Sequence, residues 1–424
     1  MLKSILSSLT TQSSRISGKV FELQKRSSAL RAKDDSSFKY TKDDSSLRCA
    51  KDDSDFDKKF ISYALNLSKK NQNLTAENPV VGCVIVKDDV IISSGVTAAF
   101  GRPHAEWVAI DKVSDKKQLV GATLYVTLEP CSHYGKTSPC VDLIIEHKIA
   151  TVVVAVIDAD LRVNGAGVKK LREAGIEVRV GVMAKEAQEI NQGFFKVQRS
   201  DLPYVTLKLA TSLDGKIAAK DRSSKWITNE ETRKMAQQLR AQSAAIMIGA
   251  NTLRYDNPAL SCRINGLSAY SPTRIIVANN LNFDLNWQVF QNVETLPTVV
   301  ITGFNQVDNL QFKQLQDLGI EIITCQKTAD GYGIDLVMAL QKLAQKGINS
   351  VLIEGGRSLA TSALKAKLVD EIIWMRSNKI IGDEGISAIA ELGVTNIDAV
   401  LDDFKLLWVK SVQDDVVAKY KLCS

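Results

Sequence analysis

His104-Ala105-Glu106, followed by Glu129-Pro130-Cys131-Ser132-His133-Tyr134-Gly135-Lys136-Thr137-Ser138-Pro139-Cys140, is the pair of segments on which the reading of this chain turns. One histidine and two cysteines supply three ligands suited to Zn²⁺ and leave a fourth position for water, as a catalytic rather than a structural zinc site requires. Zinc lowers the pKa of bound water to about 7, and Glu106, two residues beyond the histidine, is placed to carry the proton. Ser138-Pro139-Cys140 reads as the N-cap, first and second residues of a helix continuing through Val141-Asp142-Leu143-Ile144-Ile145. That reading puts the Cys140 sulfur in the positive field of a helix N-terminus, which favours the thiolate. The plain alternative is two buried thiols beside a surface histidine, but two of the chain's three histidines fall within this constellation.

His-x-Glu followed by Pro-Cys-x-x-Cys is the signature of nucleobase deaminases. Here eight residues separate the cysteines instead of two, and the loop between them carries His133, Gly135 and Lys136. Asn78-Pro79-Val80-Val81-Gly82-Cys83-Val84-Ile85-Val86 precedes the motif, and Lys208-Leu209-Ala210-Thr211-Ser212-Leu213-Asp214-Gly215-Lys216 follows it. With these segments, roughly residues 56–424 resemble the bifunctional riboflavin-biosynthesis family, which joins a diaminohydroxyphosphoribosylaminopyrimidine deaminase to a 5-amino-6-(5-phosphoribosylamino)uracil reductase. The resemblance implies an α/β fold of two parts: a cytidine-deaminase-like mixed-sheet domain and a dihydrofolate-reductase-like domain. It implies zinc and NADPH as cofactors and phosphoribosylated pyrimidines as substrates. It further implies metal ligation by His104, Cys131 and Cys140, catalysis by Glu106, and pyrimidine and phosphoribosyl contacts from Asn78, His133 and Lys136.

A chain of 424 residues exceeds one ordinary core and suggests two or three domains. Apolar residues at 45% and charged residues at 24% are those of a globular protein. No run approaches the apolar length of a membrane span, so no membrane partner is expected. Seven cysteines, an odd number without disulfide-rich spacing, favour a reducing compartment, so a cytoplasmic location is expected. The net charge of +6 comes with no basic stripe interleaved with aromatics, so no nucleic acid is expected as a partner. We expect a homo-oligomer.

Residues 1–55 read as an extension outside the fold. Met1 to Lys33 is rich in Ser, Arg and Lys with Glu22 its only acid, a composition that also suits an organellar transit peptide. Lys-Asp-Asp-Ser then recurs at residues 33, 42 and 51, a charged low-complexity repeat with too little apolar surface to offset the entropy of ordering.

From Phe56 the pattern alternates. Phe56, Phe60, Ala64 and Leu67 recur at helical spacing, and Gly82–Val86, Val90–Ile92, Thr123–Leu128 and Thr151–Ile157 read as buried strands. Helices are predicted after His104, after Ser138 and over Gly167–Ala174. These βαβ units imply a mixed sheet covered on both faces, the deaminase domain at residues 56–200. Gln198-Arg199-Ser200-Asp201-Leu202-Pro203 is the predicted linker. The second domain, 204–424, begins with a strand at Tyr204–Leu209, continues with strands at Ala245–Ile248, Arg274–Ala278, Thr298–Thr302 and Ser350–Glu354, and closes with an antiparallel pair at Phe404–Val409 and Asp415–Leu422.

Val351-Leu352-Ile353-Glu354-Gly355-Gly356-Arg357-Ser358-Leu359 is a buried strand, two glycines and a helix, a turn whose backbone N–H groups suit a pyrophosphate. The motif lacks the Rossmann spacing. The family resemblance implies NADPH contacts from Ala210, Trp226, Thr252 and Asp256 and from the turn Gly356, Arg357, Ser358, Leu359, Ala360, Thr361 and Ser362. It implies substrate contacts from Ser224, Arg240, Leu260, Arg263 and Glu354. Two arginines suit a sugar phosphate.

The chain departs from the family in two places. Ala278-Asn279 stands where Asp-Ser is usual, and Asp158-Ala159-Asp160-Leu161 where Asp-Pro-x-Pro is usual. The absence of both prolines is expected to leave that loop less preorganised. His147, late in a helix, reads as a surface or capping residue. A nucleic-acid deaminase would show the two-residue cysteine spacing and an aromatic-basic face, and a structural zinc domain would use four protein ligands without Glu106.

Overall fold

The computed structural model describes residues 55–72, 74–75, 77–134, 138–160 and 163–423. The expected extension and repeats, Lys136 and the Leu161 position lie outside these residues, apart from Asp55 at the very end of the extension.

Helix α1 (Asp55–Ser68) precedes strands β1 (Gly82–Lys87) and β2 (Val90–Val96); α2 (Ala105–Asp111), β3 (Thr123–Val126), α3 (Cys140–Glu146), β4 (Thr151–Val154), α4 (Ala166–Glu173) and β5 (Glu177–Val180) follow. The five strands form one sheet in the order β2-β1-β3-β4-β5. β1 is antiparallel to both neighbours, whereas β3, β4 and β5 run parallel. The mixed sheet expected from the βαβ pattern is thus observed. Along α1 the buried face is Phe60, Ile61, Ala64 and Leu65, with Phe56 exposed, so the helix is rotated from the expected stripe. β5 and the short helix α5 (Ala184–Ile190), polar at most positions, carry no readable period.

Gly95 on β2 positions the first site. A Cβ there would stand 2.1 Å from the Ala105 carbonyl oxygen, so only glycine lets the first turn of α2, which carries Glu106, lie directly on β2.

The first half of the predicted linker is helical: α6 runs Gln192–Ser200 and ends at Asp201 in the left-handed region. Its polar C-terminal half reads as a loop, but Phe194 and Phe195 are buried at the start of the helix and hold it on the fold. Lys196 Nζ lies 2.5 Å from Asp370 Oδ2, and the same carboxylate oxygen accepts the Val205 N–H, tying α6 to the following sheet.

That sheet collects β6 (Tyr204–Thr211) and, after the short β7 (Lys216–Ala218) and α7 (Glu230–Ala241), β8 (Ala245–Gly249). α8 (Ala250–Asp256), β9 (Thr273–Val277), β10 (Thr298–Gly303), α9 (Leu310–Asp317), β11 (Glu321–Cys325), α10 (Leu336–Gln345) and β12 (Ser350–Glu354) come next. α11 (Arg357–Lys365), β13 (Glu371–Arg376), β15 (Phe404–Val412) and β16 (Asp415–Leu422) complete it, while β14 (Ile386–Ser387) pairs with β7 in a separate two-stranded sheet. The nine-stranded order is β11-β10-β9-β8-β12-β6-β13-β16-β15. It is parallel from β11 to β13 and closes with the antiparallel pair β16 and β15 that the sequence predicts. Both faces are covered: on β8, Ala245 and Met247 enter one core while Ile246 and Ile248 enter the other. A strand buried on both faces reads as an apolar run, which is why β8, β10 and β12 are legible in the sequence, and β9 through Ile275-Ile276-Val277 beyond its buried Arg274.

Candidate functional site

Three elements converge in the first half of the chain. His104 caps α2, Cys131 follows β3, and Cys140 opens α3. His104 Nδ1 lies 3.5 Å from Cys131 Sγ and 3.4 Å from Cys140 Sγ, and the three ligand atoms lie within 4.8 Å of one another. The donor set, two sulfurs and one imidazole nitrogen, fits zinc. The buried Glu106, second residue of α2, faces the same corner, and its burial, opposed by His104, pushes its carboxyl up to about 7.

The start of α3 differs from expectation. Pro139 is the N-cap and Cys140 the first helical residue, and the Cys140 N–H donates to Cys131 Sγ at 3.3 Å. Hydrogen bonding from Cys140 and His104 draws the Cys131 thiol well below its usual range, while Cys140, bonded to Cys131 and buried, is pushed up. The N–H at the start of α3 thus points across the corner to Cys131.

Glu129 is a site residue that the sequence motifs do not single out. Its buried carboxylate accepts four backbone N–H groups: Asp158 and Gly165 on Oε2, Gly167 and Val168 on Oε1. The loop that lacks the family's prolines is thereby clamped to the residue two before Cys131. Asn78 packs against Gly101 in the segment leading to His104 and donates to Thr75 O at 3.4 Å. His133 Nδ1 is buried with no hydrogen-bond partner among the described residues. His147 caps the C-terminus of α3.

In the second half, a cleft of about 910 Å³ runs along the C-terminal ends of β9, β8, β12 and β6, where open parallel sheets bind ligands. Gly355 (φ 69°) and Gly356 (φ 83°) turn the chain from β12 into α11, and the Thr252 hydroxyl stands 2.8 Å from where a Gly356 Cβ would be. Ala210, Trp226, Thr252, Asp256, Gly356, Arg357, Ser358, Leu359 and Ser362 line the cleft. Ala360 and Thr361 are buried in α11 instead, since successive helix positions point to different sides.

Ser224, Leu260, Arg240 and Glu354 also line the cleft. Arg240 donates from Nε and Nη2 to the two oxygens of Glu354 at 2.8 and 3.0 Å, and from Nη1 to Ser261 O at 3.1 Å. Burial opposes ionisation of Glu354, but Arg240 and Lys208 hold its carboxyl down at about 2. Lys208 Nζ stands 3.8 Å from Glu354, and burial lowers the lysine's own pKa against that attraction. Arg263 is exposed, its backbone N–H bonded to Gln237 Oε1. Ala278 is buried in the core below the cleft, whereas Asn279 is on its rim.

A His/Cys/Cys corner with a buried carboxylate, joined to a parallel-sheet dinucleotide cleft, defines a bifunctional deaminase and reductase. Residues 54–156 match the cytidine and deoxycytidylate deaminase zinc-binding region, and residues 203–418 match the RibD C-terminal domain. The riboflavin biosynthesis protein RibD of Aquifex aeolicus is 40% identical over 87% of this chain and 99% of that protein, and that of Escherichia coli is 36% identical over 85% and 98%. Among solved structures, Acinetobacter baumannii RibD (35% identity, TM-score 0.78) and the Thermotoga maritima diaminohydroxyphosphoribosylaminopyrimidine deaminase/5-amino-6-(5-phosphoribosylamino)uracil reductase (33%, TM-score 0.76) each cover 87% of this chain and 99% of their own.

The chain belongs to the RibD family of riboflavin biosynthesis proteins. Its activity is zinc-dependent hydrolytic deamination of 2,5-diamino-6-(5-phosphoribosylamino)pyrimidin-4-one, then NADPH-dependent reduction of the ribosyl group of 5-amino-6-(5-phosphoribosylamino)uracil to ribityl.

Proposed function

We propose that residues 56–200 carry the deamination and residues 204–424 the reduction, each with the residues assembled in its own half. His104, Cys131 and Cys140 would hold the zinc, which supplies a nucleophilic oxygen near neutral pH. Glu106 takes one proton of the attacking water and passes it to the ring nitrogen, then takes the second from the hydroxyl now on carbon and passes it to the leaving amine, which departs as ammonia. Its burial, which raises its carboxyl to about 7, suits a group that must both accept and give a proton near neutrality. The unpartnered His133 Nδ1, two residues beyond Cys131 in the chain, offers a hydrogen-bonding group, and with Asn78 and Lys136 would orient the pyrimidine and its phosphoribosyl group.

NADPH held in the second cleft would supply hydride to the sugar C1′ as the C1′–O4′ bond opens and the released oxygen takes a proton from water. The glycine turn at the start of α11 would hold its pyrophosphate on backbone N–H groups, with Ala210, Trp226, Thr252 and Asp256 lining the rest of its path. Glu354 receives ribose hydroxyls while Arg240 keeps it ionised; Ser224, Leu260 and Arg263 complete the substrate side. The exposed guanidinium of Arg263 is free to meet a phosphate in a way the paired Arg240 is not. Substrates are small phosphoribosylated pyrimidines. A cytoplasmic, reducing location is part of the same proposal, supported by Cys83, Cys262, Cys325 and Cys423, which form no disulfide among the described residues and lie outside the zinc site. So is a homo-oligomer, supported by the exposed Leu406, Leu407 and Val409 on the edge strand β15.

The carrying observation is Glu106 buried beside three convergent zinc donors. Zinc content and deamination measured on two variants test it. His104→Ala should lose both metal and turnover, and Glu106→Gln should keep zinc and lose about 10²–10⁴-fold in rate. A Glu106→Gln protein turning over near the wild-type rate would sink the assignment.

A further inference from the structure

The cleft of the second half has two distinguishable ends. At β12 and β6 stand Arg240, Glu354 and Lys208, the charged cluster assigned to the sugar substrate. Hydride must be delivered there, so the nicotinamide of NADPH points to that end and its pyrophosphate lies at the Gly355-Gly356 turn. The adenosine half must then extend the other way, past β8 towards β9. β9 lies two strands from β12, which at the usual strand spacing is about 10 Å.

That end is built around Asn279, which donates from Nδ2 to the Tyr332 carbonyl oxygen at 2.7 Å. The Tyr332 N–H in turn donates to Asp330 Oδ1 at 3.0 Å. Asp330 also accepts from the Thr328 hydroxyl, and Thr328 and Gly333 close the turn through backbone and hydroxyl bonds. Tyr332 is thus held on both sides of its own backbone, yet it is 84% exposed and lines the cleft. The other two exposed aromatic residues of the cleft are already stacked: Arg233 lies 4.4 Å over the Trp226 ring and Arg222 lies 4.3 Å over that of Tyr255. Among the described residues no cation or ring stacks on Tyr332.

We propose that Tyr332, fixed by Asn279 and Asp330, is the platform on which the adenine of NADPH stacks, and that Asn279 serves the cofactor indirectly, through its bond to the Tyr332 backbone. The proposal rests on the reading of this cleft as the NADPH site. A flat, exposed ring on a fixed backbone suits a purine because stacking needs a π-face and little else.

The test is direct binding to the full chain, by calorimetry, of three probes: NADPH, adenosine 2′,5′-bisphosphate as its adenosine half, and reduced nicotinamide mononucleotide as the other half. Loss of one base–aromatic stack corresponds to roughly a five- to hundredfold weakening. Tyr332→Ala should weaken NADPH and adenosine 2′,5′-bisphosphate by that factor and leave reduced nicotinamide mononucleotide unchanged, while Tyr332→Phe should bind like wild type. Asn279→Ala should give a smaller loss on the same two probes. Unchanged NADPH binding by Tyr332→Ala, or equal weakening of both half-molecules, would overturn the platform while leaving the cofactor site in place. Wild-type protein that binds none of the three would overturn the reading of the cleft itself.

Discussion

Arg240 and Glu354, on α7 and at the end of β12, meet as a fork against a carboxylate: Nε to Oε1 at 2.8 Å and Nη2 to Oε2 at 3.0 Å, with both side chains largely buried. The guanidinium therefore spends two of its donors on an internal partner and a third on Ser261 O. Its first task is to keep a carboxylate charged inside the cleft.

Stability should record this pair. The Glu354 carboxyl lies at about 2 in the folded chain against an ordinary 4.5. Unfolding therefore takes up a proton between those values, and the pair's contribution is complete above about pH 5 and lost as pH falls towards 2. Glu354→Gln leaves Arg240 buried and unpaired and should cost about 3–5 kcal/mol at pH 7. Urea denaturation from pH 7 to pH 3 should show the gap to wild type narrowing with acid. A gap independent of pH would mean the carboxylate carries no such stabilisation.

Glu129 should act on the loop rather than on the metal. Its replacement by Ala leaves four backbone N–H groups of Asp158, Gly165, Gly167 and Val168 without their acceptor. A loss of about 3 kcal/mol or more is expected, since bonds to a charged acceptor are each worth about 1.5–3. Hydrogen exchange should accelerate first at Gly165, Gly167 and Val168. Unchanged protection there would show that another acceptor serves the loop.

Gly356→Val should separate cofactor from substrate. The residue sits at φ 83°, and a Cβ would approach the Thr252 hydroxyl to 2.8 Å, so the turn must shift and its N–H groups leave the pyrophosphate. NADPH affinity should fall at least tenfold, with zinc content and deamination unchanged. Reductase KM for NADPH equal to wild type would contradict the placement.

The sequence reveals the elements whose burial is two-sided or whose ends are punctuated. β8, β9, β10 and β12 carry apolar runs at their centres, and the zinc donors fall where a strand ends or a helix begins, so the motif and its spacing locate His104, Cys131 and Cys140. Polar contacts across the fold leave no such trace. Arg240 and Glu354 are 114 residues apart, and their meeting follows from the placement of α7 beside the end of β12. Glu129 acts on backbone N–H groups, which every sequence supplies equally. α6 reads as linker because Gln198 to Pro203 is polar, although Phe194 and Phe195 at the start of the helix anchor it. The Cys140 N–H turns to Cys131 because Pro139, not Ser138, caps α3, a one-residue shift within the ordinary scatter of helix ends.

The central claim is that one chain performs a deamination and a reduction at two separate sites. It is tested most directly by mass spectrometry of the product formed from 2,5-diamino-6-(5-phosphoribosylamino)pyrimidin-4-one by zinc-loaded full-length protein, with and without NADPH. Without NADPH the product should be the aminouracil ribotide, an amine replaced by oxygen; with NADPH it should gain two further hydrogens on the sugar, and Glu106→Gln should still reduce aminouracil ribotide supplied to it. Unchanged substrate in the first reaction, or a Glu106→Gln protein that no longer reduces supplied ribotide, would contradict the account.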